Sequence, residues 1–338
     1  MSFLNLKRIF KVEVKFMQKS KHHLYIEVLA KRILPDDMEA SVIQQEFHRL
    51  EAGFAGEMKL KQTLSDYYFK TGHHIFYNFE CMNDNGFSHQ MDAVLVTSYF
   101  IVIFEVKLLS GVLFYKPAQH EFYRIHNEKR ENFRNPLDQV YRHQLFLEQC
   151  LRKWQITIPV YFAVVIANQQ AILDESLEKF PIFHISGVPN FIENLYRTTA
   201  KSKENMNMIN AKLNQLYQAL PPRRSISLDR LRKGVLCRQC DYKNVMDYHY
   251  GTFTCNVCRA KSRDVLFETL DHYRILIGDK ISNKQFREFF GIHSLQAASK
   301  LLVRLGLERH GMKKGTYYII PENISERKIK RGRKSLRL

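Results

Sequence analysis

Phe100-Ile101-Val102-Ile103-Phe104-Glu105-Val106-Lys107 is an apolar run that ends in an acid and a lysine. Aromatic and β-branched residues fit a pleated strand, and an uninterrupted apolar run fits a strand buried on both faces. Side chains alternate along a strand, so Glu105 and Lys107 share a face. Charges at the end of such a strand are costly unless they pair or bind an ion. Upstream, His89–Thr97 reads as a second strand, joined by the short Ser98-Tyr99 connection. That hairpin can bring Asp92 alongside Glu105.

Further out, Ile75–Cys81 is a strand, followed by a turn at Asn83-Asp84-Asn85-Gly86. Val112–Tyr115 and Glu121–His126 read as strands, Pro136–Trp154 as a helix with proline at an early position, and Pro159–Ala167 as a strand buried on both faces. Phe183–Ile185 adds a short strand, and Pro189–Leu220 reads as mostly helical. Before the first strand, Ser41–Tyr68 has helical periodicity with Gly53 and Gly56 inside it. Two glycines so close imply tight packing against another element, or a break between two helices. The order predicts an α/β fold, a central mixed sheet flanked by helices.

Asp92 and Glu105 together make a hard, oxygen-rich site suited to Mg²⁺ or Mn²⁺. A metal there polarises a phosphate and lowers the pKa of a bound water, and Lys107 can orient that water or steady developing negative charge. The plain alternative is an ordinary Glu–Lys strand pair with Asp92 in a turn.

Four segments occur in the order of the nuclease-related domain, NERD: Gly53-Phe54-Ala55-Gly56-Glu57, Gln90-Met91-Asp92, Phe104-Glu105-Val106-Lys107 and Asn135-Pro136-Leu137-Asp138-Gln139. Over roughly residues 45–170 the chain resembles that family, a branch of the PD-(D/E)XK nuclease superfamily, and the resemblance implies a restriction-endonuclease-like fold. It further implies that Glu57 is the helical acid, that Asp92 and Glu105 (with Glu57) bind the catalytic metal, and that Lys107 is the catalytic lysine. Gln90 and Gln139 would be accessory polar groups. One departure is Phe122, where such domains often carry tryptophan, a change that touches packing only.

Cys237-Arg238-Gln239-Cys240 and Cys255-Asn256-Val257-Cys258 are two C-x₂-C pairs with fourteen residues between them. Four thiolates suit tetrahedral Zn²⁺, each pair aiming two sulfurs at one ion. Tyr248, Tyr250 and Thr252 alternate as in a short strand between them, predicting a zinc ribbon. With every position filled by protein the zinc would be structural, supplying folding free energy to a segment too small for a core. Cys81 and Cys150 have no partner spacing and read as buried residues.

Beyond the ribbon, Val265–Ile277, Asn283–Phe290 and Ser294–Leu305 read as helices, with Ser282 and Ser294 as N-caps and Gly291 closing the second. Leu307–His310 and Thr316–Ile320 flank the basic turn Gly311–Gly315. The pattern resembles a winged helix. Gln296, Ser299, Lys300 and Arg304 are then candidates for the recognition-helix surface, with Lys313 and Lys314 in the wing. The alternative is a small helical packing domain.

Lys plus Arg number 52 against 34 Asp plus Glu among 338 residues, a net charge of +18, which favours an anionic partner. The longest apolar runs are strand-length, far below the ~20 residues of a spanning helix. The charged N-terminus lacks the apolar stretch of a signal peptide. Paired cysteines at metal-binding spacing fit a reducing cell, so the expectation is a cytoplasmic protein whose partner is nucleic acid, in the first place DNA, with no membrane. Predicted segments are a basic arm over 1–45 (with Met17 a possible start), a nuclease-related domain over 46–220 and a linker over 221–235. The zinc ribbon follows over 236–262, then the winged-helix-like domain over 263–322 and a basic tail over 323–338. The function expected is a metal-dependent DNA nuclease. The competing class is a nucleic-acid-binding adaptor whose nuclease fold no longer turns over.

Overall fold

A computed structural model describes residues 18–249 and 251–327, apart from the side chain of Lys314. Expectations for residues 1–17, for Tyr250 and for the tail beyond 327 lie outside the described residues. In chain order the helices are α1 (Lys21–Arg32), α2 (Ala40–Asp66), α3 (Pro136–Lys153), α4 (Val188–Thr198), α5 (Met206–Leu216), α6 (Val265–Leu276), α7 (Asn283–Phe290) and α8 (Leu295–Arg304). The first nine strands are β1 (His73–Met82), β2 (Ser88–Thr97), β3 (Ile101–Lys107), β4 (Val112–Lys116), β5 (Glu121–His126), β6 (Lys129–Phe133), β7 (Val160–Ile166), β8 (Ile172–Leu173) and β9 (Ile182–His184). The remaining seven are β10 (Val235–Leu236), β11 (Val245–His249), β12 (Thr252–Cys255), β13 (Lys261–Ser262), β14 (Lys280–Ser282), β15 (Glu308–His310) and β16 (Tyr317–Ile319). The chain divides into two compact units, one built on His48–Pro221 and the other on His22–Phe47 with the residues from Pro222 onward.

The first unit is mixed α/β, as the strand pattern predicts. Its main sheet has the order β1-β2-β3-β7-β9, antiparallel from β1 to β3 and parallel from β3 to β9. Ile101–Val106 of β3 are all buried, because β3 is the middle strand and both faces are covered. On one face Ile101 and Ile103 pack with Leu137, Val140, Leu147 and Leu151 of α3 and Ile209 and Leu213 of α5. On the other, Val102 and Phe104 pack with Leu60 and Leu64 of α2 and Val188 and Ile192 of α4. Each such fully buried aliphatic side chain contributes about 1.5–3 kcal/mol by leaving water. Helix α3 starts where it does because the Asn135 side chain accepts from Leu137 N at 3.0 Å and Pro136 has no N–H that needs an acceptor. Leu147→Ala would open a cavity under β3 and cost about 2–5 kcal/mol.

A second sheet has the order β6-β5-β4-β8; its strands β4–β6 are inserted between β3 and α3, and β8 follows β7. Strand β6 departs from the sequence reading. The Asn127-Glu128 turn holds both residues at positive φ, 49° and 60°. The usual sign of that turn is Asn-Gly, and Glu128 hides it. The helix expected over Pro189–Leu220 is two helices, α4 and α5, with irregular chain over 199–205. Helix α2 is continuous through both glycines, so the proposed break is not found.

In the second unit the segment read as a basic arm is partly helix α1. Tyr25, Ile26, Val28, Leu29 and Arg32 are buried there. Charges drew attention from the three- and four-residue spacing of its apolar residues. Arg32 is fully buried. Its Nε donates to His272 Nδ1 at 3.0 Å, its Nη1 donates to the carbonyls of Arg232 and Gly234, and its guanidinium lies 4.6 Å from the Phe289 ring centre. The expected linker is also packed. Arg230 pairs with Asp37 and Glu39, Leu231 bridges to Ile33, and Val235 is buried. Strands β10–β13 form one small sheet, and β14, β16 and β15 another with α6–α8 around it. The elements run in the order α6-β14-α7-α8-β15-β16. Ser282 and Ser294 cap α7 and α8, and Gly291 ends α7 at φ 66°.

Candidate functional site

Asp92, Glu105 and Lys107 gather where β2 and β3 part. The last ladder pair is Ala93↔Phe104, and beyond it Asp92 Oδ2 accepts the Val106 N–H at 2.7 Å. A side chain thus replaces the next backbone partner and fixes Asp92 against β3. Glu105 is 2% exposed. Its Oε1 accepts from Lys107 Nζ at 2.5 Å, while its Oε2 is buried with no hydrogen-bond partner. A buried carboxylate oxygen without a donor is unfavourable by itself, and a cation would relieve it.

Glu57 reaches this place because of its neighbour. A Cβ on Gly56 would lie 3.3 Å from Val106 Cγ1, 3.5 Å from Leu108 Cβ and 3.6 Å from Ala167 Cβ. A Cβ there would need the Val106 methyl to give by a few tenths of an ångström, so glycine eases the approach of α2 to the ends of β3 and β7. Gly53 faces open space, so the tight-packing reading holds for Gly56 alone. Burial, then the negative charge of Glu105, pushes the Glu57 carboxyl up to about 7, against the pull of Lys107. Asp92 is raised as well, by burial first and then by Glu105 and Glu57. Burial works against the Lys107 ammonium, but Glu105 and Asp92 outweigh it and hold its pKa above the ordinary value. Ionising all three carboxyls beside one ammonium leaves a surplus of negative charge, which together with burial pushes Glu57 and Asp92 upward.

Gln90 is already engaged, its Nε2 donating to Asn78 Oδ1 at 2.9 Å. Asn78 has a positive φ of 47°, a conformation asparagine tolerates. Gln139 lies half-buried in the first turn of α3. One turn further on is His143, which sequence reasoning missed. It is buried, its Nδ1 is 3.0 Å from His89 Nδ1, and its Nε2 has no partner. Burial, then His89, Arg142, Arg134 and Lys107, push its pKa down to about 3. The lysine's influence puts His143 in the electrostatic field of the site. A lone histidine on a helix carries no spacing signal, so only the fold could reveal it.

The four cysteines of the second unit converge, with all four sulfurs within 4.8 Å of one another. Cys237 and Cys240 bracket a tight turn in which Tyr242 N donates to Cys237 O at 2.9 Å, and Arg259 N donates to Cys255 O at 3.0 Å in the other. Asp241, Tyr242 and Arg259 have positive φ in these turns. Backbone N–H groups of Cys258 and Val257 help lower the Cys255 thiol to about 7, while burial pushes the Cys237 thiol up to about 12. The donor set fits a soft or borderline cation. Among the described residues this is the one such cluster of three or more ligand side chains; Glu57, Asp92 and Glu105 do not form another.

On α8, Gln296, Lys300 and Arg304 are exposed and recur every four residues. Ser299 is half-buried and its Oγ accepts from Asn283 Nδ2 at 3.0 Å, so it ties α7 to α8. Arg304 Nη1 lies 3.4 Å from where a Cβ of Gly251 would be, beside the ribbon hairpin. Lys313 is exposed in the turn between β15 and β16, and the Lys314 side chain lies outside the described residues.

A buried acid and a half-buried lysine thus stand at the end of the central strand, with a second acid across the hairpin and a third on α2. Residues 52–167 match the family model of the nuclease-related domain, NERD. The matched span holds Glu57, Gln90, Asp92, Glu105, Lys107 and Gln139. No curated protein matches the chain. Among the described residues no helix is long and apolar enough to cross a membrane.

Proposed function

We propose that the protein hydrolyses phosphodiester bonds of DNA with the help of Mg²⁺ or Mn²⁺ held by Asp92 and Glu105, with Glu57 reaching in from α2. The observation that carries this reading is Glu105 Oε2, buried and without a partner among acids that resist ionising together. The donor set is all carboxylate, which fits a hard divalent ion. Such an ion supplies positive charge to a phosphate oxygen and acidifies a bound water. The chain's own part is to orient and to screen. Asp92 is fixed by the Val106 amide. Lys107 holds its proton and can turn from Glu105 towards negative charge developing on phosphate. Gln90, through Asn78, steadies β2 beside β1.

In the second unit Cys237, Cys240, Cys255 and Cys258 would hold a structural zinc ion. Gln296, Lys300 and Arg304 of α8, with Lys313 and Lys314 of the wing, would contact DNA. Ser299 contributes by fixing α8. A silent DNA-binding adaptor is the second reading, favoured by one observation: Lys107 occupies Glu105 Oε1 and the three acids do not draw together as ligands. Incubating the purified chain with labelled duplex, branched and single-stranded DNA and with RNA, in Mg²⁺, Mn²⁺ or EDTA, separates the two. Metal-dependent cleavage supports the nuclease. Binding without cleavage under every condition supports the adaptor.

A further inference from the structure

The inserted sheet has two unlike faces. Leu113, Tyr115 and Phe122 turn into the core of the first unit. The other face carries a stack of planar groups running across the strands. The rings of Phe114 on β4 and Tyr123 on β5 are paired in the ladder and stacked, with centroids 4.9 Å apart and planes 10° apart. The guanidinium of Arg130 on β6 lies 4.0 Å from the centre of the Tyr123 ring, and Lys116 Nζ lies 5.6 Å from it. Lys116 and Arg130 share one carboxylate, Glu121, so the face keeps an excess of positive charge. Ile125, on the same face, is 40% exposed.

The position of this face in the chain matters as much as its composition. Strand β4 begins at Val112, just after Lys107, and β6 ends at Phe133, just before the α3 turn that carries Gln139. Strands β4–β6 are therefore joined in the chain to β3, which carries Glu105 and Lys107, at one end and to α3 at the other. Exposed Arg134 continues the cations from β6 towards α3, and its charge reaches His143, as that of Lys107 does.

We propose that this outer face is a stacking platform for the unpaired bases of a single-stranded nucleic acid, which it leads to the acid–lysine site; the last clause rests on the nuclease reading. The chemistry argues for a single strand. A duplex shows a flat surface only its sugar–phosphate edges, whereas an unstacked base can lie on an aromatic ring or a guanidinium; Phe114 and Arg130 cover the two faces of Tyr123, so a base extends the stack from the outer side of Arg130 or of Phe114, with Tyr123 holding the two in line. Arg130 offers a planar cation that can stack on a base and also hydrogen-bond a phosphate. Lys116 and Arg134 flank the platform as phosphate contacts.

The test uses the full chain and oligo(dT), with a duplex as control, at moderate salt so that unspecific phosphate binding is weakened. Tyr123→Leu keeps apolar bulk but removes the middle of the stack. It is expected to weaken single-strand affinity about tenfold, with Tyr123→Phe close to wild type and duplex affinity unchanged. Arg130→Gln, at an exposed side chain that cannot compromise folding, is expected to weaken single-strand binding severalfold. An oligonucleotide carrying 5-iododeoxyuridine should crosslink to the peptide that contains Phe114 and Tyr123. No binding of single strands, equal losses on duplex and single strand, or crosslinks confined to other segments would overturn the platform. Cleavage is read separately with Glu105→Ala. If wild type fails to cleave while the Tyr123 and Arg130 results hold, the nuclease reading falls and the platform stands.

Discussion

At Glu105 one carboxylate oxygen holds Lys107 and the other holds nothing. This asymmetry gives residue-level predictions. Lys107→Ala should leave cation binding in place, since an ammonium is no ligand, and slow cleavage by about 10²-fold or more through lost charge stabilisation. Lys107→Arg should restore little of it, because a planar guanidinium places its charge differently. Single-turnover cleavage beside calorimetric Mn²⁺ binding measures both. The buried histidines make a pH prediction. Burial lowers His89 to about 4 and His143 to about 3. Their folded pKa values lie below the unfolded value near 6.5, so the unfolded chain takes up their protons first as pH falls. Stability from this pair is present above about pH 6.5 and is lost on acidification through about pH 4 for His89 and about pH 3 for His143. A double change, His89→Leu with His143→Leu, removes both polar groups at once. It should flatten the fall in melting temperature between neutral and acid pH relative to wild type. An unchanged slope would show that the pair is protonated in the folded state.

Among the elements, α1 and the ribbon carry the clearest consequences. Arg32 joins α1 to the chain around Arg232–Gly234 and to α6 and α7. Arg32→Ala leaves buried acceptors unpaired and a cavity behind, a loss of about 2–4 kcal/mol in chemical denaturation. If α1 were a solvated arm the loss would be near zero. The ribbon should carry about one zinc per chain, lost when Cys237 and Cys240 become serine, as metal analysis of reduced protein would show. How far these elements were legible follows from their signals. β3, β7, α3 and the cysteine pairs announce themselves by apolar runs, a proline-led start and fixed spacing. Asp92, Glu105 and Lys107 were visible as a hairpin pairing, and Glu57 only through the family resemblance. α1 was hidden by its surface charges, β6 by Glu128 in a turn that usually takes glycine. The role of Gly56 needed the β3 and β7 side chains that it faces. His143 needed the pairing of α3 with β2, a contact that no local pattern encodes.

Across the whole molecule the net charge of +18 should make DNA affinity fall steeply with salt, because phosphate contacts release condensed counterions. Residues 326–338 contain seven basic residues and one acid, and deleting them should shallow that slope without changing metal content. Flat affinity between low and moderate salt would contradict the electrostatic account. The central claim is that Asp92 and Glu105 serve a divalent ion in cutting DNA. Its most direct test is the cleavage rate of Asp92→Ala and Glu105→Ala beside wild type, in Mg²⁺ and in EDTA, with DNA affinity measured on the same samples. The account predicts Mg²⁺-dependent cleavage by wild type, none by either variant, and near-equal affinity for all three. Cleavage by the variants at the wild-type rate would contradict it.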